Sequence, residues 1–200
     1  MDDEWAPYAS TWDSDPAARL YAASAFASLS EALDCTGVDL AGAEVLDFGA
    51  GTGLLSERLV AEGASVIAVD TSTAMIEVLQ AKIADRGWSQ VTAATDLPDP
   101  SERFDLVVCS SVCSFLDDYP GAARDLVARL RPGGLFVQWD WERPAGDDDE
   151  DGEEAHGLGR EEISEALTAA GLADVTVRTG FSVDFEGQTM APLMGYGVRR

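Results

Sequence analysis

The chain has 200 residues and a mass of 21.2 kDa, enough to bury roughly 70% of its unfolded surface, and its hydrophobic content of 46% is that of a globular protein. Thirteen Lys and Arg against 37 Asp and Glu leave a net charge of −24 and a pI near 4.1; that field repels phosphate backbones and anionic lipid, so nucleic acid and membrane surfaces are not expected as partners, although a salt-adapted or high-GC host would give the same composition without any function attached. No apolar run approaches the ~20 residues of a membrane span, MDDEWAPYAS lacks the apolar core of a secretory leader, and three cysteines (Cys35, Cys109, Cys113), odd and sparse, argue for a reducing compartment, so a soluble cytoplasmic protein is expected.

Residues 1–15 are polar with interspersed aromatics, Trp5, Tyr8 and Trp12. Pro16 opens a helical pattern carried by Leu20, Tyr21, Ala25, Leu29 and Leu33 and stopped by Gly37. Glu44 to Phe48 reads as a buried strand, Leu54 to Ala61 as a helix, and SVIAVD (65–70) as a second strand. Thr71, Ser72 or Thr73 can cap the next helix, because a hydroxyl accepts from the free N–H groups of a first turn. That helix carries Met75, Ile76, Leu79 and Ile83 and ends near Gly87. Short and long apolar strands follow at 90–94 and 104–110. Pro120 fits the first turn of a helix bearing Leu126, Val127 and Leu130.

RPGG (131–134) reads as a tight turn before a strand from Leu135 to Asp140. GDDDEDGEE (146–154), within an acidic loop over 143–157, is too charged to pack. Glu161 to Ala170 reads as a helix closed by Gly171. Two last strands, near 175–183 and 190–199, should pair antiparallel through a turn at Glu186-Gly187. Strands that alternate with helices and are apolar throughout imply a mostly parallel sheet covered on both faces. No linker divides the chain, so a single domain over 1–200 is expected, with residues 1–40 as an N-terminal helical cover.

The most informative stretch is VLDFGAGTG (45–53). A strand, a glycine loop and a helix aim backbone N–H groups and a positive dipole end at a ligand. No lysine follows in the manner of GxxxxGK[ST], and Leu54 stands where the dinucleotide fingerprint wants Gly or Ala. Asp70 closes the second strand, where an acid can accept from both ribose hydroxyls of a nucleoside, or else serve as a capping acid beside Thr71. Asp96, in ATDLPD, can meet the amine of an adenine or act as a plain turn acid.

VLDFGAGTG, VIAVDTSTAM, ATDLPDPSERFDLVVCSSV and LRPGGLFV together resemble the successive motifs of the class I S-adenosylmethionine-dependent methyltransferases, over residues 42 to 140. The resemblance implies a Rossmann-like doubly wound α/β sheet of seven strands, mostly parallel with one antiparallel C-terminal strand. It implies S-adenosylmethionine as cofactor and S-adenosylhomocysteine as product. Asp47 and the loop Gly49, Ala50, Gly51 and Gly53 would face the methionine part. Asp70 would hold the ribose, with Thr71 beside it. Met75 would line the adenine, and Asp96 and Leu97 its edge. Cys109, Ser110 and Ser111 would lie near the reacting centre. YASTWD is similar to the Tyr-x-x-x-Trp-Asp region of small-molecule members, so Tyr8 and Trp12 either cover the site or pack in the core.

Transfer from a sulfonium asks the protein mainly to align nucleophile, methyl and sulfur and to exclude water. The Asn/Asp-Pro-Pro-aromatic stretch of base-amino methylators is replaced here by CSSVCSF (109–115), and no Pro-Cys dipeptide occurs. With the charge, this favours a small-molecule acceptor, the methylated atom (N, O or C) left open, over nucleic acid. No catalytic residue stands out. His156 borders the acidic loop, and relatives carry a histidine near Ser114 that this chain lacks. Trp139 and Trp141, sent to one face by strand alternation, either wall a substrate pocket together with Ser114 or pack on the sheet. Two neighbouring cysteines are too few for zinc. The rival readings are a non-catalytic cofactor-binding protein and a dinucleotide-dependent oxidoreductase; the latter lacks a Tyr-x-x-x-Lys pair, since Lys82 is the sole lysine.

Overall fold

A computed structural model describes residues 3–143 and 157–200. The acidic stretch 146–154 and His156 lie outside them. The elements are α1 (Ala6–Trp12), α2 (Pro16–Thr36), β1 (Glu44–Phe48), α3 (Leu54–Ala61), β2 (Ser65–Val69), α4 (Thr73–Arg86), β3 (Val91–Ala94), β4 (Phe104–Ser110), a 3-10 turn (Cys113–Phe115), α5 (Tyr119–Val127), β5 (Leu130–Asp140), α6 (Arg160–Ala169), β6 (Leu172–Thr179), β7 (Val183–Phe185), β8 (Gln188–Met190) and β9 (Leu193–Arg199). Seven strands form one sheet in the order β3-β2-β1-β4-β5-β9-β6. Pairings from β3 to β5 are parallel, and β9 runs antiparallel to both β5 and β6. This is the Rossmann-like sheet with one antiparallel strand that the resemblance implies.

The strands are apolar throughout because both faces are covered, and successive side chains go to opposite layers. Val45, Leu106, Val108, Leu135, Val137 and Trp139 pack under α2, α3 and α4. Leu46, Val107, Cys109 and Phe136 pack under α5 and α6. Helix α2 starts on Asp15, whose carboxylate accepts from Ala17 and Ala18 N–H at 2.7 and 3.3 Å, and stops at left-handed Gly37. Among the described residues no helix is long and apolar enough to cross a membrane.

Three local expectations change. RPGG is not a free turn: residues 130–140 form one strand, and the pairing jumps from Phe104–Leu130 to Leu106–Leu135, so the extra residues bulge while both ends stay on β4. The turn at Glu186-Gly187 closes a separate small hairpin, β7–β8, inserted between the sheet strands β6 and β9. Residues 6–12 are helical: Trp5, Tyr8 and Trp12, read from the sequence only as interspersed aromatics, stand at i, i+3 and i+7. This helix is tied down from a distance. The Ser72 hydroxyl donates to Asp3 at 2.9 Å, the Thr52 hydroxyl to Asp13 at 2.6 Å, and Lys82 Nζ lies 2.7 Å from Asp13.

Candidate functional site

The strand order reverses between β1 and β4, the position where open α/β sheets place ligands beyond the carboxyl ends of their strands. A cavity of about 430 Å³ lies there, roofed by α1 and α2. The loop after β1 forms its floor. Gly49 (φ +75°) could not carry a side chain, since a Cβ would fall 2.5 Å from Val112 Cβ. Gly51 (φ +55°) has only open space where a Cβ would be, so the absent side chain leaves room beside the cavity.

The loop's N–H groups are directed inward to the protein. Gly49 and Ala50 donate to the Val69 carbonyl at 2.8 and 3.0 Å, and Gly51 donates to Asp70 Oδ2 at 2.8 Å. A phosphate cradle requires such groups to be free for the anion, so this loop is shaped for a ligand without one. The other Asp70 oxygen accepts from Ser72 N–H at 2.9 Å, which fixes the carboxylate plane and leaves each oxygen a second lone pair. Burial pushes the Asp70 carboxyl above its ordinary range despite those two hydrogen bonds. Ser72, not Thr71 or Thr73, caps α4, its Oγ accepting from Met75 N–H at 3.2 Å.

Asp47 is fully buried. Its Oδ2 accepts from the Ser56 hydroxyl at 2.6 Å, while its Oδ1 has no partner among the described residues. Burial raises its carboxyl to about 6, against the Ser56 hydrogen bond. A buried acceptor without a partner is costly, and this one belongs to a residue that lines the cavity. No Lys, Arg or His lines the cavity among the described residues; its acids are Asp15, Asp47 and Asp70.

The structure brings together most of the residues singled out in the sequence. Asp47, Gly49, Ala50, Gly51, Asp70, Thr71, Met75, Ser110, Ser111 and Trp12 all line the cavity. Ser111 adopts φ +54°, a left-handed conformation that is uncommon outside glycine and concentrates at functional sites. Others lie elsewhere. Gly53 serves as N-cap of α3 and packs on Leu79. Cys109 is buried below the site among α5 and α6 residues. Asp96 and Leu97 are exposed and off the lining, because the chain after β3 turns along the surface. Tyr8 is exposed, and Ser114 lines a second cavity of about 300 Å³. Trp139 is not a wall residue: α2 covers it completely, and its indole N–H donates to Ser28 Oγ at 2.8 Å. Trp141 does face the same helix, with its ring 5.6 Å from that of Tyr21. Contact with Cys109 and burial hold the Cys113 thiol well above its ordinary range, which disfavours the thiolate. Among the described residues no cluster could hold a metal ion.

Several lining residues were not singled out. Tyr21, Ala17, Ala18 and Ala22 form one face of α2 over the cavity. The small alanines at that helical spacing were the available signal. Trp5, Phe115 and Met190 come from three separate segments that only the tertiary fold assembles, and they share the cavity with Trp141, which the sequence did offer as a wall residue.

Residues 46–138 match the model of a family described as a methyltransferase domain. The ubiquinone biosynthesis O-methyltransferases of Pseudomonas fluorescens (strain SBW25) and Stutzerimonas stutzeri (strain A1501) are 35% and 31% identical over 101 residues, 48% of this chain and 44% of theirs. The matched segment thus spans less than half the length of these curated relatives. Among solved structures, the magnesium protoporphyrin IX methyltransferase of Synechocystis PCC 6803 with bound SAH superposes with a TM-score of 0.68 at 21% identity, over 88% of this chain and 82% of that one. A structure described as a complex of the Haloferax volcanii Trm112 methyltransferase activator with a putative methyltransferase gives 0.73 at 18%, over 99% and 98%. These two likenesses are of fold.

Proposed function

We propose, for a chain that belongs to the class I S-adenosylmethionine-dependent methyltransferase family, transfer of a methyl group from S-adenosylmethionine to a small-molecule acceptor. The observation that carries this reading is the chemistry of the cavity. Among the described residues it offers carboxylates and no cation, and its glycine loop is hydrogen-bonded inward. A pyrophosphate would be repelled there, which disfavours a dinucleotide. A nucleoside that ends in an ammonium and carries a sulfonium is attracted.

The fit can be stated residue by residue. The free lone pairs of Asp70 suit a ribose diol. The unpartnered Oδ1 of Asp47 suits the ammonium of the methionine part, and gaining that cation would bring its raised pKa back down. Met75 and Thr71 suit the adenine side. When bound, S-adenosylmethionine supplies a methyl group on an electrophilic sulfonium. The chain contributes alignment and dryness: α1 and α2 roof the cavity, and Ser110 and Ser111 stand at the end of β4 where an acceptor atom can approach. An amine or thiolate acceptor needs no strong base from the protein. Asp140, buried with its Oδ2 accepting from Cys113 and Ser114 N–H at 2.8 and 3.2 Å, braces the β4–α5 loop instead.

The test is turnover with labelled S-adenosylmethionine and a panel of neutral phenols, amines and thiols. Label in an organic product, with S-adenosylhomocysteine formed in equal amount, supports the proposal. Cofactor binding without label in any acceptor would move the reading to a binding protein.

A further inference from the structure

The acceptor end of the cavity has a chemistry of its own. The exposed large hydrophobic side chains among the described residues are Trp5, Tyr8, Leu97, Phe115 and Trp141. Trp5, Phe115 and Trp141 line this one cavity. Exposed aromatic rings are costly in water, and their convergence on one mouth marks a binding surface. They form two walls. On one side Trp5 meets Trp12 at 5.9 Å and Phe115 at 5.7 Å, both edge-on. On the other, Tyr21 packs against Trp141 at 5.6 Å and Phe181 at 5.1 Å.

Charge narrows what these walls can hold. Among the described residues no cation lines the cavity, so a carboxylate or phosphate on the acceptor would lie uncompensated in a field set by a net charge of −24. A cationic acceptor would meet like charge on the sulfonium. The acids of the cavity do not offset it: Asp15 caps α2, Asp70 accepts from Gly51 and Ser72 N–H, and the free Oδ1 of Asp47 is the one assigned above to the cofactor's ammonium. A second observation points to a ligand. Tyr21 is only 9% exposed, and its hydroxyl has no hydrogen-bond partner among the described residues, although it faces Ser111 and Ser110. A buried hydroxyl left alone destabilises the fold and requires an explanation.

Building on the methyltransferase reading, we infer that the acceptor is an uncharged, planar, apolar molecule that enters between the Trp5–Phe115 and Tyr21–Trp141 walls and hydrogen-bonds through its heteroatom to the Tyr21 hydroxyl. The aromatic faces supply affinity and the missing cation supplies selectivity. Tyr21 sets the position of the heteroatom along the cavity. It remains a neutral hydrogen-bonding group, since burial and the nearby Asp140 carboxylate push its phenol far above neutrality.

The experiment uses three probes on one bicyclic frame: 2-naphthol, 2-naphthoate and 2-naphthylmethylammonium. Each is titrated calorimetrically into the full chain, with and without saturating S-adenosylhomocysteine. The expected result is binding of 2-naphthol with 2-naphthoate at least tenfold weaker in both titrations, and with 2-naphthylmethylammonium at least tenfold weaker in a parallel titration under saturating S-adenosylmethionine, whose sulfonium it must face, a tenfold step being the scale of one uncompensated interaction. Trp141→Leu should weaken 2-naphthol about fivefold or more and leave S-adenosylhomocysteine affinity unchanged. Tyr21→Phe should weaken 2-naphthol severalfold while its Tm stays level or rises, because the deleted hydroxyl has no hydrogen-bond partner among the described residues. 2-Naphthoate that binds as tightly as 2-naphthol, 2-naphthylmethylammonium that does so under saturating S-adenosylmethionine, or no 2-naphthol binding to its solubility limit, overturns the inference. So does a Tyr21→Phe variant that loses stability but keeps its 2-naphthol affinity. Failure of S-adenosylhomocysteine to bind counts against the cofactor reading instead, and the titrations made without it still decide this one.

Discussion

The sole lysine joins the N-terminal helix to the glycine loop after β1, and removing its charge tests whether α1 acts as a roof. Lys82 is 11% exposed; its Nζ lies 2.7 Å from Asp13 Oδ2 and donates to the Thr52 carbonyl at 2.9 Å, with Glu57 further off at 3.9 Å. Lys82→Met keeps the stem and deletes the ammonium. A hydrogen bond from a charged group contributes about 1.5–3 kcal/mol. The Asp13 carboxylate, 36% exposed, keeps water and the Thr52 hydroxyl as partners, so its loss of a counter-ion adds little. About 2 kcal/mol is the resulting estimate, which for a chain of this size lowers Tm by about 4–8 °C. Because Asp13 ends α1, part of that energy is lost as easier lifting of the cover. If all of it were, S-adenosylhomocysteine would dissociate about 30-fold faster. Differential scanning fluorimetry and stopped-flow displacement read the two quantities. A Tm within about 1 °C of the parent together with an unchanged off-rate would refute the latch.

The two glycines beside the site should respond differently. Gly51→Ala places a methyl in open space at φ +55° and should cost the fold only about 1 kcal/mol while weakening S-adenosylhomocysteine binding at least tenfold; Gly49→Ala drives a Cβ into Val112 and should cost the fold more, as a melting comparison of the pair will show. Asp47 makes stability pH-dependent. Its folded pKa of about 6 lies above the 3.8 of the free side chain, so the fold binds an extra proton between them and stability falls as pH rises. Asp47→Asn removes that loss, and its Tm relative to the parent should improve from pH 5 to pH 7 by the equivalent of about 1 kcal/mol; a constant difference would mean Asp47 ionises normally.

The strands around the glycine loop were legible because burial on both faces leaves an unbroken apolar run whose ends are set by Asp70 and the glycines. Helix α1 was not: Trp5, Tyr8 and Trp12 do stand at i, i+3 and i+7, but seven residues are too few to hold a helix alone, and their placement depends on Asp3 and Asp13 reaching Ser72, Thr52 and Lys82 far along the chain. RPGG carries every local signal of a turn, yet the demand of β4 for a partner on both sides of it prevails as a bulge. Trp139 illustrates the limit of alternation: its face was correct, but whether that face meets a cavity or a helix depends on where α2 lies. Tyr21 fitted the apolar stripe of α2, and only the cavity shows that the stripe continues from core into site.

Calorimetric titration with S-adenosylhomocysteine, run beside NAD on the parent and on a folded Asp70→Asn variant, tests the central claim most directly. The account predicts saturable binding of S-adenosylhomocysteine, weakened at least tenfold by Asp70→Asn, as loss of a charged acceptor requires, and no binding of NAD. Binding of NAD in its place, or an affinity indifferent to Asp70, would contradict it.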